Sequence, residues 1–275
     1  MTDAPLVRHE NAAPSLVRLV PLDRPWRWLA AGWADLAARP AIALCYGALI
    51  VAASWALVFA LHLLDWIFLL LPMAAGFMFV APILAVGLYD TSRRLEAGEP
   101  ASLATAIGAW RRNADQLALL GLVMMLFHLA WLRLAQLLFA LFFSGGSPGW
   151  DNVVPALLFS PPSLPFLATG TAIGFVLAVI LFAIAAVSIP MLHDRPVSAI
   201  TAVVTSVAAV RRNWKPMAVW AALIVIFTAF GIATLFVGLV VTMPLIGHAT
   251  WHAYRDLVAG VTPPSATPAA AASPR

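Results

Sequence analysis

The chain has 275 residues, of which 63% are hydrophobic and only 10% charged, with a mean hydropathy of +0.93. A water-soluble domain carries roughly a quarter charged residues, so most of this surface must face lipid. The formal charge of +4, from 15 Arg and one Lys against 12 acids, flanks the apolar runs, which points to lipid headgroups and not to nucleic acid.

Several apolar runs reach the roughly 20 helical residues that cross a hydrocarbon core of about 30 Å. Alternating ten-residue strands, the mark of a membrane barrel, are absent. The predicted fold is therefore an all-α polytopic membrane protein of about six transmembrane helices. No secretory leader is expected, since the first forty residues carry five Arg and no isolated apolar stretch precedes a small-residue cleavage site. The single cysteine, Cys45, excludes an internal disulfide.

In chain order, residues 1–22 read as a flexible cytoplasmic arm. Asp23-Arg24-Pro25 then starts a helix, with Asp as N-cap and Pro in the first turn. Trp26, Leu29, Trp33 and Leu36 form its apolar stripe, and such a helix lies in the membrane interface or packs on neighbouring spans. Span one covers about 41–64, a turn falls at His62–Asp65, and span two covers about 66–89 and ends in Asp90, Arg93, Arg94 and Glu96, with Gly98 as C-terminal cap. A second short helix begins at Ser102 and closes on Arg111-Arg112-Asn113. Span three covers about 116–143. Residues 144–165 read as a loop, opening on Ser-Gly-Gly-Ser-Pro-Gly. Span four covers about 166–191, with Gly170 and Gly174 as a small-residue pair for close packing. The third short helix starts at Ser198 and closes on Arg211-Arg212-Asn213, and spans five and six share 217–253 around a turn near 231–234. Both are short. Residues 261–275, rich in Pro and Ala, are expected to be disordered.

The returning Arg-Arg-Asn divides the membrane domain, 23–260, into three units of interfacial helix plus helical pair, at about 23–98, 102–191 and 198–260. A degenerate first copy stands at Arg39-Pro40. Placing Pro82 on Pro244 pairs Tyr89 with Trp251, Arg93 with Arg255 and Leu95 with Leu257, and Pro190 holds a similar place at the end of span four.

Fifteen of the sixteen basic residues fall in the arm, the inter-unit segments or the tail. The positive-inside rule then puts both termini and both Arg-Arg-Asn elbows in the cytoplasm. Arg39, Arg111, Arg112, Arg211 and Arg212 read as anchors on anionic headgroups, or as a docking ring for a partner membrane protein. Arg133 is the exception, about 25 Å along span three by helical rise. It is either a functional intramembrane charge, with Gln136 on its face and Asp65 or Asp151 as counter-ion, or an anchor snorkelling to the far headgroups.

His248 and His252, one helical turn apart, and His193 fall at the cytoplasmic rim; His128 falls near mid-bilayer. A metal site would need a third ligand and a haem a second histidine at equal depth. Neither pattern is present, so no cofactor, no metal site and no catalytic residue are assigned. No nucleophile motif or phosphate loop points to an enzyme.

Residues 21–29, 85–96 and 247–257 resemble a family of bacterial integral membrane proteins classed as a domain of unknown function, some members labelled putative cytochrome c oxidase. The resemblance covers about 16–258 and implies the membrane fold without transferring any catalytic residue. Haem-copper chemistry needs a set of intramembrane histidines, and this chain has one near mid-bilayer. The sequence thus reads as a structural or accessory membrane protein acting through lipid or partners. The alternatives are a small-solute transporter or channel using Arg133 and, behind it, a haem- or metal-binding respiratory protein. Oligomeric state is not encoded in any pattern found.

Overall fold

The computed structural model describes residues 16–143 and 153–259. Asp151 and the expected disordered tail lie outside them. The helices are α1 (Arg24–Ala38), α2 (Pro40–Leu63), α3 (Leu70–Leu84), α4 (Val86–Glu96), α5 (Leu103–Gly108), α6 (Ala114–Phe142), α7 (Val153–Phe159), α8 (Ser163–Ala185), α9 (Ser188–Asp194), α10 (Ala199–Arg212), α11 (Trp214–Ala233) and α12 (Leu239–Leu257), with 3-10 turns at Ile67–Leu69 and Ala109–Asn113. The three-unit order follows directly: α1 then α2 with α3–α4; α5 then α6 with α8–α9; α10 then α11 with α12.

Local chemistry sets the boundaries. Ser102 closes a capping box with Thr105, and the Ser198 hydroxyl accepts from the Thr201 amide at 3.2 Å. Asp23 precedes α1 as expected, but its carboxylate pairs with Arg27 at 3.2 Å instead of capping an amide. Gly98 (φ +67) ends α4, with the Glu99 amide donating to the Arg94 carbonyl at 2.8 Å and the Gly98 amide to Leu95 at 3.2 Å, a Schellman closure.

Among the described residues, five segments are long and apolar enough to cross a membrane: Pro40–Leu63, Ile67–Glu96, Leu103–Phe142, Ser163–Asp194 and Trp214–Ala233. α12, the sixth expected span, is not among them, because from His248 onward it carries His252, Arg255 and Asp256. The loop expected over 144–165 also needs correcting: α7 occupies 153–159 and sets Leu157 against Leu61, Ile67 and Leu69, and α8 begins already at Ser163. The last turn falls at 234–238, just past the place expected for it.

Two of the long segments break, and a neighbour's side chain satisfies each break. Pro82 and Pro190 lack the amide a continuous ladder requires. At the first break the Leu84 carbonyl accepts from the Tyr46 hydroxyl. At the second, the Val187 amide donates to Ser206 Oγ (3.1 Å), which in turn donates to the Ala183 carbonyl (2.8 Å). The break follows Pro82 but precedes Pro190, so the two prolines are not in equivalent places.

The units close into a ring. Asn113 donates its side-chain amide to the carbonyls of Leu192, Arg195 and Val197, binding the link between α9 and α10. Asn213, one unit later, accepts from the Val20 amide (2.9 Å) and donates to the Arg18 carbonyl (2.9 Å). Residues 16–20, expected to belong to the flexible arm, therefore stand where a link between a third and a fourth unit would run. Val17 and Val258 form an antiparallel bridge, so the end of α12 is joined to the start of α1.

α1 packs one face on neighbouring helices, as one of its two expected placements has it, and leaves the other face open. Trp28, Gly32 and Leu36 are buried against the bundle, while Trp26 and Trp33 are 59% and 54% exposed on the opposite face. A Cβ on Gly32 would stand 2.6 Å from the Ala249 backbone, so α1 and α12 touch backbone to backbone there. Ile107, Ile200 and Trp214 are exposed in the corresponding parts of the other units. Gly174 packs under Trp131, so the small-residue stripe of α8 joins it to α6.

Candidate functional site

The polar turns of α4, α9 and α12 come together at the Arg-rich end of the bundle, with α1 against α4 and α12, and their residues form an ionic junction of three neighbouring clusters. Asp90, 1% exposed, is its most enclosed charge. Its carboxylate receives Arg93 Nε at 3.1 Å, Arg94 Nε at 2.6 Å and His193 Nε2 at 3.1 Å. A carboxylate buried without partners would cost several kcal/mol; three charge-assisted bonds offset that. Arg93 and Arg94 reach on to Glu99, at 3.0 and 3.5 Å, and Arg93 holds the Glu99 carboxyl below its ordinary range. Arg94 and Glu99 thus fasten the link from α4 to α5.

A second branch centres on Asp35 of α1. Its Oδ2 accepts from Ser92 Oγ at 2.6 Å and lies 2.8 Å from His252 Nε2. Ser92 Oγ also lies 2.8 Å from His248 Nδ1, and the other ring nitrogen of His252 lies 3.5 Å from Glu96. Glu96 pairs with Arg255 at 3.2 Å, and Arg255 stands 3.7 Å from Asp194. Asp194 accepts from the Tyr254 hydroxyl at 2.5 Å, and Arg195 bonds both Tyr254 (2.9 Å) and the Ala259 carbonyl (2.9 Å). Trp28 Nε1 donates to Asp256 at 2.8 Å, and Arg24 stands 3.4 Å from the same carboxylate.

The three rim histidines thus come together. His193 serves Asp90, while His248 and His252 bracket Asp35 through Ser92 and directly. Among the described residues no group of three or more His, Cys, Asp or Glu side chains is arranged to hold a metal ion. The hydroxyl of Ser92 lies between carboxylate and imidazole, whereas a hydrolase triad places the imidazole between hydroxyl and carboxylate. Ser92 is also fully buried.

Arg133, Gln136 and His128 form no part of this junction. Arg133 is exposed on the side of α6, and Nη1 donates to Gln136 Oε1 of the same helix at 3.1 Å. His128 Nδ1 lies 3.1 Å from the Gly76 carbonyl and Trp131 Nε1 donates to the Pro72 carbonyl at 2.7 Å, so these two fasten α6 to α3. Of the proposed anchors, Arg39, Arg111, Arg211 and Arg212 are exposed, and Arg112 Nε also bonds the His193 carbonyl at 3.2 Å.

The segment from α3 to α9 carries both Asp90 and His193, and it has a match among known families. Residues 70–194 match a family described as "Predicted integral membrane protein (DUF2189)". That DUF2189 stretch holds two of the three helical ends that build the junction, α4 and α9, together with Arg133. It stops short of α1 and α12, which supply Asp35, His248 and His252. Of the three motifs behind the sequence resemblance, 85–96 falls inside the DUF2189 match and the other two outside it. No curated protein and no solved structure matches the chain. Family and apolar helices agree that this is an integral membrane protein.

Sequence reasoning missed Asp35, Ser92, Asp194, Tyr254 and Asp256 as members of one network. The signal was present for Asp35: it stands seven residues after Trp28 and three after Gly32, on the buried face of α1. The alignment of Pro82 with Pro244 likewise set Asp90 opposite His252.

Proposed function

We propose that this chain is a structural or accessory protein of the bacterial inner membrane, working through anionic lipid or a partner membrane protein and without catalysis of its own. The observation that carries this reading is the division of its polar groups. The carboxylates enclosed by the fold, Asp90 and Asp35, are bound to neighbouring side chains, and the basic groups on the rim stand beside exposed Trp26, Trp33, Ile107, Ile200 and Trp214. Amphipathic short helices with Trp and Arg on their outer side suit the headgroup layer. Among the described residues every basic side chain except Arg133 lies at that end of the bundle, and the positive-inside rule makes it the cytoplasmic end, with both chain termini.

Transport through Arg133 loses its main support, since a coupling or selectivity charge faces the bundle interior or a water-filled path and Arg133 faces outward. Snorkelling to the opposite headgroups accounts for it. Affinity purification in mild detergent, followed by lipid extraction and mass spectrometry, tests the proposal. Recovery with phosphatidylglycerol or cardiolipin enriched over the bulk extract, or with a reproducible membrane-protein partner, is expected. Recovery with neither would overturn it.

A further inference from the structure

The α11–α12 hairpin differs from the α2–α3 hairpin at its tip. The α2–α3 tip carries Asp65, in the left-handed region at φ +56, and exposed Trp66, as suits a turn in the far headgroup layer. The α11–α12 tip reads Thr234-Leu235-Phe236-Val237-Gly238 and holds no charge, with Leu235 66% and Val237 61% exposed.

Depth separates them further. The Phe236 ring packs edge-on against Trp55, 6.1 Å between centroids. Trp55 lies eight residues before the end of α2, about 12 Å by helical rise. Below the tip, α12 becomes polar at His248, nine residues after its start, or about 14 Å, less than half a hydrocarbon core of about 30 Å. Gly47, whose added Cβ would stand 2.2 Å from the Val240 carbonyl oxygen, lets the start of α12 lie directly on α2 at this shallow level.

The turn is also built for a medium without water. Non-helical backbone inside a bilayer must satisfy its own hydrogen bonds. Here the Thr234 amide donates to Phe230, Phe236 to Ile232, Val237 to Thr234, Leu239 to Phe236, Val240 to Val237 and Val241 to Gly238, all carbonyls within 3.3 Å. The Thr234 hydroxyl donates to Gly231 and accepts from the Gly238 amide at 2.9 Å. An exposed turn in water would need none of this.

We infer that α11 and α12 form a re-entrant hairpin, entering and leaving at the Arg-rich end. Its tip, beside Trp55 of α2, meets phospholipid acyl chains near the bilayer midplane. The chain then crosses the membrane four times: α11, long enough by its 20 residues to span, turns back at the level of Trp55, and the hairpin returns the chain to the end where α2 began, where residues 16–20 pair with 257–259. The occupant is lipid because the exposed side chains at the tip, Leu235 and Val237, are apolar and most of its backbone amides are bonded within the turn. The inference needs the membrane fold alone and is independent of what the Arg-rich face binds.

Spin labelling of the full chain in phosphatidylcholine–phosphatidylglycerol vesicles tests it. Cys45→Ala removes the native thiol, and Val237→Cys and Asp65→Cys are labelled separately in that background. At 237 the label should collide freely with oxygen and be shielded at least about tenfold, relative to 65, from a water-soluble nickel chelate. Nickel access at 237 equal to that at 65 would overturn the re-entrant hairpin. An immobile label shielded from both oxygen and nickel would overturn lipid as occupant and point to a second protein segment. The label at Asp65→Cys, read in the same vesicles, verifies insertion.

Discussion

Asp90 is the most enclosed carboxylate of the junction, and its partners make the consequence of removing it calculable in direction. Asp90→Asn leaves Arg93, Arg94 and His193 enclosed without the charge they share. Breaking a buried ion pair on one side costs about 3–5 kcal/mol, so a clear fall in the unfolding midpoint in mild detergent is expected. Arg27→Ala breaks an exposed pair with Asp23 and should cost under about 1 kcal/mol in the same assay. Glu99 yields a pH prediction. Arg93 depresses its folded pKa below the ordinary Glu value of 4.5, so the interaction is fully present above 4.5 and is lost as pH falls through the lower folded value. Hydrogen exchange at the Glu99 amide, which closes α4, should accelerate only below that range. Unchanged exchange down to unfolding would contradict the role given to the pair.

The sequence made the elements largely legible and their joints much less so. Spans, breaks and caps follow from apolar run length, proline and Ser at the expected places, as with Ser102, Ser198 and Gly98. Asn113 and Asn213 were visible as repeats but not as clamps, because their partners lie 79 and 193 residues away and are backbone groups without a sequence signature. The stripe read on α1 was right as amphipathicity and incomplete as geometry: with apolar residues on two faces, periodicity does not say which face the protein covers. Asn213→Ala removes the bonds to Arg18 and Val20 and should cost about 1–3 kcal/mol. It should also release residues 16–20, so tryptic cleavage after Arg18 should become faster in the variant. Gly47→Val places side-chain atoms where the Val240 backbone lies and should separate α12 from α2, read as a lower unfolding midpoint in mild detergent.

At the scale of the molecule, three similar units arranged as a ring bring three polar helix ends to one side, and that arrangement explains why so apolar a chain carries a dense ionic network. The network ties α1 to α4, α9 and α12, and the remaining basic residues form the rim. In the function proposed above, the rim, and not an internal site, is the surface through which the protein acts. Thermal unfolding in vesicles tests this most directly. Phosphatidylglycerol added to phosphatidylcholine vesicles should raise the unfolding temperature of the native chain, and the double variant Arg111→Ala/Arg211→Ala should lose most of that increase while unfolding at the native temperature in phosphatidylcholine alone. An unfolding temperature indifferent to phosphatidylglycerol, or an increase fully retained in the double variant, would contradict the account.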